Sequence, residues 1–171
     1  MRKRKGFSLI ELLIVVAIIL VIAAIAIPNL IRARMSANDS SAAASVRMIN
    51  TAEIAYMTTY PSIGYPLALT TLGGAAPCTP SVATACLLDS YLATNGGGNG
   101  KSGYSFNATG SASAGSAIND QFFATGSPLG TTTGSRSYCS VEDAVIRTQP
   151  AGTTTIVPNR AACQLLGPLS N

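Results

Sequence analysis

From Phe7 to Ile27 the chain runs through 21 residues, of which fifteen are Phe, Leu, Ile or Val and four are Ala. Only Ser8 and Glu11 interrupt the run. A helix rising about 1.5 Å per residue needs roughly 20 such residues to cross the hydrocarbon of a bilayer. On an insertion scale, the large apolar residues together favour the membrane by about 5–9 kcal/mol. One carboxylate opposes this by at most about 3 kcal/mol, and by less near a helix end. The segment is therefore expected to insert despite Glu11. Four consecutive basic residues, Arg2, Lys3, Arg4 and Lys5, precede it and are expected to hold the N-terminus on the cytoplasmic side.

A secretory signal also starts basic and turns apolar. Its apolar part is about 7–15 residues, and its small-residue cleavage site follows that part. Here the small residue, Gly6, comes first and the apolar run is of membrane length. A plain single-pass anchor fits the hydropathy but gives no reason for a carboxylate at Glu11. Lys5-Gly6 followed by Phe7-Ser8-Leu9-Ile10-Glu11-Leu12, then a long apolar stretch containing Pro28, resembles the N-terminus of a type IV prepilin. In that family a membrane peptidase cuts after the glycine and methylates the new N-terminal amine. The resemblance implies cleavage between Gly6 and Phe7, N-methylation at Phe7, and an assembly role for Glu11, fifth in the cleaved chain. It also implies a long helix continuing past the membrane, with Pro28 where many pilins carry a proline.

The formal charge of +4 is misleading. It lies wholly in residues 2–5, and removing those four leaves seven basic residues against seven acidic ones. Charge therefore gives no indication of a nucleic-acid partner. Low charge with abundant Ser, Thr, Gly and Ala suits a surface that packs against copies of itself.

Three regions follow in order. Residues 1–6 are the leader, 7–60 a long helix whose half 7–27 spans the membrane, and 61–171 a globular head. Pro28 lacks a backbone donor, so a kink or local break is expected there. Asn38-Asp39-Ser40-Ser41 is weak helix, and Ala42-Ala43-Ala44 restores it. Val46, Ile49, Ala52 and Tyr56 recur at helical spacing, which leaves Arg47, Asn50, Thr51 and Glu53 largely on other faces. The stripe is expected to pack on the head, and the pattern ends near Tyr60-Pro61.

Residues 61–100 are punctuated by proline and glycine. Ala85–Leu92 reads as a short helix. Asn95–Ser102 has the glycines and the Lys-Ser of a phosphate-binding loop, but Asn95 stands where that pattern needs glycine, so it reads as a flexible turn. Beyond Gly103 the period becomes strand-like over 103–109, 121–125, 137–141 and 144–148, with a turn at Glu142-Asp143. This predicts an antiparallel meander and an α+β fold. The segment Arg136-Ser137-Tyr138 with Asp143–Arg147 looks like the sheet of pilin and pseudopilin heads.

Cys78, Cys86, Cys139 and Cys163 allow three pairings. All follow the membrane segment, in the part expected to reach an oxidising compartment. Short separation favours Cys78–Cys86. Cys139–Cys163 would then tie the C-terminal tail to the sheet, as in many pilins. With no histidine and no C-x-x-C spacing, a zinc site has no support.

The chain contains no histidine for acid–base work and no nucleophile elbow, so no enzyme, catalytic residue or cofactor is expected. Asp120, Glu142 and Asp143 are conceivable calcium ligands but read better as solvated turn acids. Thr131-Thr132-Thr133 is a conceivable glycan site.

The reading is a type IV pilin-like filament subunit, stored in the inner membrane with its head in the periplasm and then polymerised on the outside. Implied partners are further copies of itself, the prepilin peptidase and methyltransferase, the assembly machinery, and inner-membrane lipid before assembly. Adhesion, motility and DNA uptake are the tasks the resemblance implies. A type II secretion pseudopilin and a monomeric membrane-anchored periplasmic binding domain are the alternatives.

Overall fold

The computed structural model describes residues 7–169. Two compact units divide between Arg34 and Met35. The division falls inside the first and longest helix, α1 (Leu9–Thr59).

In the first unit the helix is bare. From Phe7 to Ile31 the large apolar side chains stand exposed, with Phe7 at 82% and Leu30 at 68%. Among the described residues nothing in the unit covers this surface, so it needs lipid or other helices around it. The helix continues unbroken through Pro28, so the local break allowed for at that residue does not occur.

The second unit packs residues 35–59 of α1 against a four-stranded antiparallel sheet in the order β1 (Tyr104–Ser111), β2 (Gln121–Pro128), β3 (Tyr138–Val141) and β4 (Arg147–Thr148). This is the expected α+β meander. On α1, Val46, Ile49, Ala52 and Tyr56 are buried as their spacing predicts. Across from them the sheet supplies Tyr104, Phe106 and Ala108 from β1 and Phe122 and Ala124 from β2. Gly126 lets the helix approach closely, because a Cβ there would meet the Phe106 ring at 2.9 Å and a Val46 methyl at 3.2 Å. The opposite face of the sheet carries a smaller core of Cys139, Val141, Val157 and Cys163. That core lies under α3 (Arg160–Gln164), which the Cys139–Cys163 disulfide fastens to β3. Cys78 and Cys86 form the second disulfide.

One edge of the sheet is β1 and the other is β4. The outward backbone of β1 is engaged by loops: Phe106 N–H donates to Asn95 Oδ1 at 2.7 Å and Gly110 N–H to the Pro66 carbonyl at 2.7 Å. Tyr104 and Lys101 exchange both backbone bonds. These contacts also pin the glycine-rich turn 95–102 to the strand.

Two expected elements are shorter in the structure. Ala85–Leu92 is not one helix; only α2 (Ser90–Ala93) is helical. Cys86 sits at φ 59°, and the Leu87 and Leu88 amides turn to the Leu72 carbonyl instead. Asp89 then caps α2, accepting from Leu92 N–H at 2.9 Å. The strand expected over 144–148 is reduced to Arg147–Thr148, because Ala144 at φ 59° bends the chain after the turn.

The residues that read as weak helix, Asn38 and Asp39, are tethers. Asn38 Nδ2 donates to the Thr133 carbonyl at 2.7 Å. Asp39 accepts from Tyr104 Oη at 2.5 Å, from Ser135 N–H at 3.0 Å and from Ser135 Oγ. Asp39→Ala leaves these donors without a charged acceptor, and a bond to a charged group contributes about 1.5–3 kcal/mol. The variant should unfold with a loss of about 2–4 kcal/mol, read from denaturant unfolding of the full chain in detergent. An unchanged midpoint would mean that the tether contributes nothing.

Candidate processing and assembly site

Helix α1 begins with Ser8 at the cap position. The Ser8 carbonyl accepts from Glu11 N–H at 3.1 Å and Leu12 N–H at 3.3 Å. Glu11 reaches back so that Ser8 N–H donates to Oε2 at 3.0 Å. This is the carboxylate half of a capping box, S-x-x-E, which satisfies a donor that the helix itself cannot. The sequence reading missed this role, although the signal, Ser8 three residues before Glu11 at the head of an apolar run, was present. Within one subunit, then, Glu11 caps its own helix. Phe7 lies just outside the helix and is exposed. Gly6, the other residue of the expected cleavage bond, lies outside the described residues.

The structure does not bring the head's acidic candidates together. Asp120 accepts from Ser113 N–H at 2.6 Å and Ser113 Oγ at 2.5 Å, which hold its carboxyl below the ordinary range. Asp143 is paired with Arg147 at 2.5 Å, and that contact lowers the acid and raises the base. Glu142 pairs with Arg160 at the start of α3. Among the described residues no group of three potential ligands gathers. Each of these acids is already committed to a structural partner.

One acid was placed on the wrong face. Glu53 is 0% exposed, and neither carboxylate oxygen has a hydrogen-bond partner among the described residues. Burial pushes its carboxyl up to about 8, so it is held neutral at neutral pH. Asn50, also buried, donates to Ser140 Oγ at 2.8 Å and to the Ala144 carbonyl at 3.3 Å.

Comparison with known proteins adds to the N-terminal geometry. Residues 1–27 match the family model of the prokaryotic N-terminal methylation motif. The chain is 65% identical over 40 residues to the type IV wide pilus major component PilA4 of Thermus thermophilus, covering 23% of this chain and 30% of that protein. It is 47% identical over 51 residues to the type IV major pilin protein PilA of Myxococcus xanthus, covering 30% of this chain and 23% of that one. The chain thus spans less than a third of the length of these relatives in the matched region. No solved structure matches it.

Proposed function

The motif and helix at the N-terminus being those of the type IV pilin superfamily, we propose that this chain is the structural subunit of a type IV pilus-like filament. The observation that carries the reading is the bare apolar half of α1, headed by a methylation motif and by Glu11. Such a surface is satisfied twice, first by lipid and then by the same half of other subunits. The subunit waits in the inner membrane with its head in the periplasm, where the two disulfides form. The peptidase removes residues 1–6 and methylates the Phe7 amine. The assembly machinery then draws the helix out of lipid into the filament core, leaving heads outside. Its role is structural, not catalytic. Neither a secretion pseudopilus nor an anchored binding domain has an observation that favours it over this reading.

Shearing surface filaments and identifying their subunit tests the polymer. Recovery of the chain only as dispersed membrane protein would overturn it. Processing is tested separately by intact mass. The filament subunit should begin at Phe7 and carry one added methyl, and Gly6→Leu should retain residues 1–6, because the peptidase must approach a bare backbone there. A wild-type subunit still starting at Met1 would remove the processing step.

A further inference from the structure

The basic residues of the head are not all balanced within the chain. Arg147 and Arg160 have carboxylate partners. Arg47 and Arg136 have none among the described residues, although both line one cleft of about 330 Å³. Arg47 comes from the exposed face of α1, and Arg136 from the approach to β3. Tyr138 lines the same cleft. The residue is only 3% exposed, but its hydroxyl is not among the buried unpaired atoms of the described residues, so the ring is packed while the hydroxyl stays accessible. Ser36 completes the polar wall.

Asp39 also lines the cleft, but its oxygens already accept from Tyr104 and Ser135. Two guanidinium charges and one committed carboxylate leave a single positive charge. Planar guanidinium forks and a phenol donor suit a tetrahedral oxyanion, and a phosphodiester of one negative charge neutralises the balance. Burial and the nearby Asp39 push the Tyr138 phenol up to about 12, so it remains a donor at every physiological pH.

We propose that the cleft between Arg47, Arg136 and Tyr138 is a phosphate-binding site. The phosphate comes either from an anionic lipid headgroup or from free phosphate. In sequence the near rim of the cleft at Ser36 follows the apolar run after the stretch 28–35, which carries Arg32 and Arg34, while Arg47 comes eleven residues later, so a headgroup would have to enter from the Ser36 rim. Basic residues next to a membrane segment are drawn to anionic lipid in any case. The cleft adds to that general attraction a second arginine and a packed tyrosine ring in one wall.

The test uses the dispersed full chain, so it does not depend on polymerisation. In one arm the protein is held in non-ionic maltoside detergent, and its thermal midpoint is followed as phosphate replaces chloride at constant ionic strength. In the other it is held in nanodiscs of phosphatidylcholine with and without phosphatidylglycerol. The wild type should show a saturable rise in at least one arm. Arg136→Gln and Arg47→Gln should each weaken the apparent affinity about tenfold or more, the loss expected for a bond between charged groups. Tyr138→Phe should weaken it several-fold while keeping the buried ring. Arg34→Gln, outside the cleft, should leave the detergent arm unchanged. A rise with phosphatidylglycerol that disappears in Arg136→Gln assigns a headgroup, and a rise with phosphate alone assigns the free ion. No rise in either arm overturns the site. A rise kept by both arginine variants overturns it too, as does one that follows protein concentration instead of ligand, which would place a second copy in the cleft.

Discussion

Glu11→Gln should sharply reduce surface filaments while leaving the subunit in the membrane at wild-type level. The capping box makes this substitution informative. Glutamine serves the same position in such boxes, so it still accepts from Ser8 N–H and the helix still starts at Leu9. Insertion is dominated by the apolar residues, which outweigh a carboxylate by several kcal/mol, and loss of the charge only helps. What disappears is the negative charge. In hydrocarbon a lone carboxylate is costly unless paired or neutralised. Cleavage after Gly6 would supply the pair, a new amine at Phe7. In the proposed filament, Glu11 of one subunit meets the Phe7 amine of its neighbour, which offsets the desolvation of both and sets the axial stagger. Filament yield should fall at least about tenfold, counted by electron microscopy against membrane-inserted subunit on an immunoblot. Normal filaments from Glu11→Gln would reduce the residue to a helix cap.

The second large effect concerns the head. Glu53 carries a carboxyl raised from 4.5 to about 8 by burial, with no partner for either oxygen among the described residues. Below pH 4.5 the folded and unfolded chains are both protonated there, and the residue has no pH-dependent effect. Between pH 4.5 and about 8 the unfolded chain releases the proton and the folded one keeps it. Stability therefore falls as pH rises through that window, and levels off above it. At pH 7 the loss is about 3 kcal/mol, at 1.36 kcal/mol per unit. Tyr56 and Tyr65, whose phenols are raised by burial and by Glu53, titrate above the window and do not disturb it. Glu53→Gln keeps the size and removes the proton. Its unfolding free energy, followed by circular dichroism on the full chain in detergent, should lose most of the slope seen in wild type from pH 5 to 8. Parallel profiles for the two proteins would mean that Glu53 is ionised or hydrated in the folded head.

Much of the architecture was legible in the sequence. Apolar spacing identified the buried stripe Val46, Ile49, Ala52 and Tyr56, and period-two alternation located β1, β2 and β3. Two of the failures share a cause. Asn50 follows Val46 by four residues, and Glu53 follows Ile49 by four and precedes Tyr56 by three. Helical spacing thus puts both on the buried face, and only their polar side chains argued for solvent. Periodicity counts apolar residues and is blind to a polar residue that the fold buries. Asn38 and Asp39 escaped for the reverse reason. Their low helix propensity was read as weakness, but the same short polar side chains make tertiary hydrogen bonds. Cys86 and Ala144 adopt a left-handed backbone that no local pattern announces, and each shortened an expected element.

The occupied edge of β1 has a bearing on how subunits can join. An open strand edge is a template onto which any extended peptide adds, including the same strand of another molecule. In this head the side chain of Asn95 and the carbonyl of Pro66 already take donors that an incoming strand would need. A concentrated pool of such subunits is thus discouraged from zipping together through their sheets. The exposed apolar surface of the described residues is the bare helix, which in the proposed assembly lipid would mask until the subunit is withdrawn. Growth of the proposed filament would then answer to that withdrawal and not to concentration. If the proposed filament forms, a large reserve of subunits can stand beside the growing polymer without fibres arising through their sheets.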